Sequence, residues 1–156
     1  MPDTLYEQDF FRWTEQQAEA LRALAASGAN LPLDWENLAE EIEGLGRSDR
    51  RELANRIATV IEHLLKLEYS SAVRPRTGWR QTIRRERDQI EALLDDSPSL
   101  RPHVPELVER EGGRRAKLVA QELMERREIT AALGTTLSNT RYTAQQILGE
   151  WLPDRR

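Results

Sequence analysis

The chain has 156 residues with 27 acidic and 23 basic side chains, a net charge of -4, and 38% hydrophobic against 32% charged content. That balance fits one folded domain over residues 1–156 with a core of its own, outside the compositional range of disordered chains. Cysteine is absent, which excludes disulfides, zinc–thiolate centres and cysteine nucleophiles, and no apolar run approaches the ~20 residues of a membrane span.

Asp3, Glu7 and Asp9 stand where a signal peptide has a basic start, so a cytoplasmic protein is expected. Charge is uneven along the chain. Residues 1–46 hold ten acids and two bases, a net -8, whereas residues 47–156 hold seventeen acids and twenty-one bases, a net +4. Only Lys66 and Lys117 among the bases are lysine.

Thr4 and Glu7 form a capping box that opens a helix to about Ala26, with Leu5, Phe10, Trp13, Ala20, Leu21 and Leu24 on its apolar face and Gly28 as its stop. Asn30 to Leu33 reads as a linker. Asp34 then caps a helix that places Trp35, Leu38, Ala39, Ile42 and Leu45 on one side. Glu36, Glu40 and Glu43 form a stripe opposite, and Glu41 flanks the apolar face. Gly44 and Gly46 predict its end, and Ser48 with Asp49 predict the cap and first turn of the next helix. Two helices so joined predict a hairpin or a sharp corner.

In that next helix Leu53, Ile57, Val60, Leu64 and Leu67, with Ile61 and Leu65 beside them, make the longest apolar stripe of the chain. The stretch Ser70–Gly78 reads as a loop. A helix from about Trp79 to Leu94 follows, with Glu86 on the face of Ile83 and Ile90. Ser97-Pro98 is a cap-and-first-position pair, Pro102 and Pro105 suggest a short turn, and a long helix is expected from about His103 to Arg127. Its Gly112-Gly113 pair costs ~2 kcal/mol against alanine. The phase of Val104, Leu107, Val108, Leu118 and Val119 carries across the pair, so a weakened or bent helix is expected there. Thr143 and Gln146 form a last capping box for a short helix through Leu148, and Trp151 is expected to pin the tail. No run alternates like a strand. The fold class is all-α, a helical bundle of about four main helices with additional short helices.

The segments DWENLAEEIEGLGRSDRRELANRIATVIEHLLK, GWRQTIRRERDQIEALLDDSPSLRP and YTAQQIL together resemble the bacterial domain of unknown function 29 family over nearly the whole chain. The resemblance implies a helical protein, frequent in cyanobacteria and proteobacteria, with no established activity, and it carries over no catalytic residue. The Gly112-Gly113 pair departs from the helix formers expected of the family at that place.

Two constellations are candidates for chemistry. Glu41, His63 and Glu86 sit at or near core faces of different helices, where carboxylates and an imidazole can build an acid/base or metal site. The paired Glu-x-x-His motif and HExxH are both absent, and no metal or cofactor is expected. The plainer alternative pairs Glu86 with Arg51 or Arg84 and lets His63 donate one hydrogen bond.

The second candidate is the arginine run, in which Arg76, Arg80, Arg84 and Arg87 share a face if the helix starts early, with Trp79 among them. Guanidinium groups bind phosphates and carboxylates in pairs of hydrogen bonds. Glu36, Glu40 and Glu43 are possible partners in space or a docking stripe of their own. Net negative charge speaks against general nucleic-acid binding. These features favour a non-catalytic interaction module that engages a protein partner or a second copy through its Arg and Glu faces. An enzyme or metal-binding bundle is the alternative, and Arg-mediated nucleic-acid binding comes after it.

Overall fold

The computed structural model describes residues 4–156, and among them only helices occur: α1 (Leu5–Gln8), α2 (Phe10–Ala26), α3 (Trp35–Tyr69), α4 (Arg76–Asp96), a 3-10 turn over Pro98–His103, α5 (Val104–Glu125), α6 (Ala131–Ser138) and α7 (Ala144–Leu148). The fold is all-α, with α2, α3, α4 and α5 as the long helices. The chain groups into two units. One holds the residues through Glu52 with Ala92–Pro102, the other Leu53–Glu91 with His103–Arg156.

The break expected at Gly44 and Gly46 does not occur, and Ser48 caps nothing: α3 is one helix of 35 residues. Gly46 has a different role. A Cβ at Gly46 would stand 2.4 Å from Thr14 Oγ1 and 3.3 Å from Phe11 Cδ2. The glycine therefore lets α2 lie close against α3 and does not end a helix. The cap at Asp34 is as expected, its carboxylate accepting from the Asn37 N–H at 3.2 Å.

Within the first unit, the helix expected from Thr4 to Ala26 is interrupted at Asp9, whose backbone leaves helical geometry. The Asp9 carboxylate caps α2 through the Arg12 N–H (3.1 Å) and also accepts from the backbone N–H (3.0 Å) and hydroxyl (2.7 Å) of Ser99. Beside it, the Phe11 N–H donates to Ser97 Oγ at 3.0 Å. Thus the start of α2 is fastened to the 3-10 turn by polar groups that sequence places some ninety positions apart. Phe11, Ala18, Ala39, Leu94 and Leu100 are buried here. Ala20, Leu24, Leu38 and Leu45, expected on apolar faces, are exposed.

The second unit is built on the later half of α3, where Leu53, Ile57, Val60, Ile61, Leu64, Leu65 and Leu67 are at most 2% exposed. Burying a leucine side chain from water stabilises by about 2 kcal/mol, so this stripe dominates the unit. Ile83 and Ile90 of α4, and Leu107, Val119 and Leu123 of α5, are buried in the same unit. The helix α4 begins at Arg76, three residues before the expected Trp79.

The helix α5 runs unbroken through Gly112-Gly113. The glycines are covered by Arg141, whose Cδ lies 3.5 Å from a Cβ built at Gly112 and whose Nη2 lies 3.7 Å from one at Gly113. Leu118 is 55% exposed and lies off the stripe, which continues instead through Ala116, Ala120 and Leu123. The sequence did not announce α6: its AALGTTLS has one glycine and two threonines and no Glu or Gln at the third position. It forms because Thr130 caps it through the Leu133 N–H (3.2 Å) and because Leu137 is buried as it packs on α5. The capping box of α7 is present, with Gln146 N–H to Thr143 Oγ1 at 3.1 Å and Thr143 N–H to Gln146 Oε1 at 2.9 Å.

Candidate functional site

The arginines of α4 divide into two kinds. The first kind supports the fold. Arg76 donates to the carbonyls of Leu67 and of Ser70 (3.3 Å), the acceptors left open at the C-terminus of α3. Arg87 donates to the carbonyls of Ile147 (2.7 Å), Gln146 (2.8 Å) and Trp151 (2.7 Å), which closes the end of α7 and holds the tail after it. Burial lowers the pKa of both guanidinium groups, with Arg155 and Arg80 adding to the effect at Arg76 and Glu150 opposing it at Arg87. A guanidinium stays charged at neutral pH despite such a shift, so each brings a full charge to its carbonyls. Trp151, 37% exposed, pins the tail through its carbonyl, and its ring tilts against Tyr142 at 5.5 Å.

Arg80 and Arg84 are the second kind. Both are exposed, and neither makes an ion pair with any described residue. They line a half-open cleft of about 670 Å³ between α4 and the tail. Ile83, Leu148 and Leu152 give it apolar wall, while Asp88, Glu91 and Glu150 place carboxylates in the same lining. Two guanidinium groups one turn apart beside leucine side chains have the chemistry to accept a carboxylate carried on an apolar surface.

The other candidate residues lie elsewhere. Glu40 pairs with Arg47 (2.5 Å) and Arg22 (3.6 Å), and Glu43 pairs with Arg22 (2.5 Å), all within the first unit. Glu36 is exposed beside Arg22 in a shallow pocket at the start of α3. Glu86 is salt-bridged to Arg56 at 3.0 Å and to Arg85 at 3.9 Å, which replaces the expected Arg51 or Arg84. His63 donates from Nδ1 to the Thr59 carbonyl at 2.8 Å. Glu41 belongs to the first unit, whereas His63 and Glu86 belong to the second. Among the described residues no group of three or more His, Asp or Glu is placed to hold a metal ion, and no helix is long and apolar enough to cross a membrane.

One polar cluster escaped the sequence reading. Glu68, 7% exposed, accepts from the Tyr142 hydroxyl (3.0 Å) and from Arg156 Nε (2.8 Å), and its carbonyl accepts from the Arg156 N–H (2.7 Å). The Arg156 guanidinium lies 5.5 Å from the centre of the Tyr69 ring, whose hydroxyl bonds Thr140 Oγ1 at 2.6 Å. Burial raises the pKa of the Tyr142 hydroxyl far above the ordinary phenol value, and the charge of Glu68 raises it further. The signal was available: Glu68 follows Ile61 and Leu64 at helical spacing and so falls on the buried stripe. All its carboxylate partners come from the protein, so the cluster anchors the tail.

Among solved structures the chain is similar to an alpha-helical protein of unknown function from Rhodospirillum rubrum, at 27% identity over 95% of this chain and 91% of that one, with a TM-score of 0.68. No curated protein matches the sequence. The family model for the domain of unknown function DUF29 matches residues 5–152, nearly the entire chain, and the protein belongs to that family.

Proposed function

We propose that this protein is a non-catalytic interaction module that docks a partner protein in the cleft between α4 and the tail. One observation supports the reading above the others: of four arginines on one face of α4, Arg76 and Arg87 hold carbonyls of the fold, whereas Arg80 and Arg84 are left exposed without an ion pair at the mouth of a cleft. Unpaired guanidinium groups next to Leu148 and Leu152 suit a partner that presents carboxylates on an apolar face. Glu40 and Glu43, tied to Arg22 and Arg47, serve the fold of the first unit.

The test is a photoreactive phenylalanine analogue placed at Leu152 in the cell. Protein adducts that disappear when Arg80→Glu and Arg84→Glu are added support the cleft as a docking site. Adducts unaffected by the charge reversal, or no protein adduct at all, contradict it.

A further inference from the structure

The first unit carries an exposed ridge that answers the cleft of the second in both charge and apolar character. On α3, Leu38, Glu41 and Leu45 follow one another at steps of three and four, and so lie along one face. Leu38 is 40% and Leu45 50% exposed; Glu41, between them, is exposed and makes no ion pair with a described residue. This ridge is a carboxylate flanked by two leucines about 10 Å apart. The cleft presents two guanidinium groups without an ion pair, Arg80 and Arg84, beside Leu148 and Leu152 (39% exposed), with Asp88, Glu91 and Glu150 also in its lining.

We infer that the cleft of one molecule receives the Leu38–Glu41–Leu45 ridge of a second copy. The inference rests on the reading of the cleft as a docking site and names its occupant. Glu41 then reaches Arg80 and Arg84, while Leu38 and Leu45 lie on Leu148 and Leu152. The charge imbalance along the chain works in the same direction, because the net -8 of residues 1–46 meets the net +4 of residues 47–156 when two copies pair ridge to cleft. The contact is small beside the ~800 Å² per partner of a stable complex, so the association is concentration-dependent and sensitive to salt.

Sedimentation of the purified chain over a concentration series tests this. The wild-type chain self-associates, more weakly as salt is added. Arg80→Glu with Arg84→Glu breaks the cleft, and Glu41→Arg breaks the ridge; each folded variant alone loses at least tenfold in association. Mixed, the two variants associate again, since the first keeps an intact ridge and the second an intact cleft. Arg80→Gln with Arg84→Gln, and Glu41→Gln, repeat the test should either reversal fail to fold. A monomeric wild-type chain, variants that associate as it does, or a mixture that stays monomeric each overturns the inference. If the chain is monomeric while the adducts at Leu152 still depend on Arg80 and Arg84, the occupant is another protein; the docking site then stands and the second copy does not.

Discussion

Gly46 and Gly44, two positions apart, make opposite demands on a side chain. At Gly46 a methyl group meets Thr14 Oγ1 at 2.4 Å and a Phe11 ring edge, while at Gly44 only the Arg47 Nη2 lies near, at 3.5 Å. Gly46→Ala is therefore expected to destabilise by about 1–3 kcal/mol through overpacking, despite the gain in helix propensity. Gly44→Ala is expected to stabilise by up to about 1 kcal/mol. Chemical denaturation of both variants checks the pair, and equal effects would remove the close approach of α2 as the reason for Gly46. Sequence alone gave both glycines the same meaning, a helix end, because close approach depends on Thr14 and Phe11, which are remote in the chain.

Tyr142 gives a pH prediction at the same scale. Its pKa is raised in the folded state by burial first and by Glu68 second. Stability from this group is therefore complete below the unfolded value near 10 and declines as pH rises past it towards the folded value. Tyr142→Phe should lose the hydrogen bond to Glu68 at neutral pH yet show a shallower fall in melting temperature above about pH 10. Tyr69, also raised chiefly by burial, keeps part of the slope. An unchanged alkaline slope in the variant would place the Tyr142 hydroxyl in contact with solvent.

At the scale of elements, the stripe from Leu53 to Leu67 was legible because seven apolar side chains repeat at helical spacing, and all seven are buried. The capping boxes at Thr4 and Thr143 were legible for a local reason: donor and acceptor lie within four residues. What failed was punctuation. Glycines marked an end that α3 does not have, and Asp9 broke a helix that periodicity carried through, since its carboxylate also serves Ser99. The helix α6 depends on burial of Leu137 and on the Thr130 cap, and burial cannot be read from eight residues. Thr130→Ala should cost about 1 kcal/mol and speed amide exchange from Leu133 to Leu137 while leaving α5 protected. Unaltered exchange in α6 would show that packing alone holds it.

For the whole molecule, the candidate site was legible as a run of arginines but not as two classes of arginine. Spacing alone put Arg76, Arg80, Arg84 and Arg87 on one face; which of them meet carbonyls depends on where α3 and α7 end. Arg87 holds the fold, whereas Arg80 and Arg84 are exposed and are the residues proposed for recognition. Thermal melting of Arg80→Ala with Arg84→Ala beside Arg87→Ala measures this difference directly. Exposed substitutions change stability by about 0.5 kcal/mol or less, so the double variant should melt within about 2 °C of the wild-type chain. Loss of three hydrogen bonds from a charged donor should lower the melting temperature of Arg87→Ala by about 4 °C or more. A large drop in the double variant with little change at Arg87 would contradict the account.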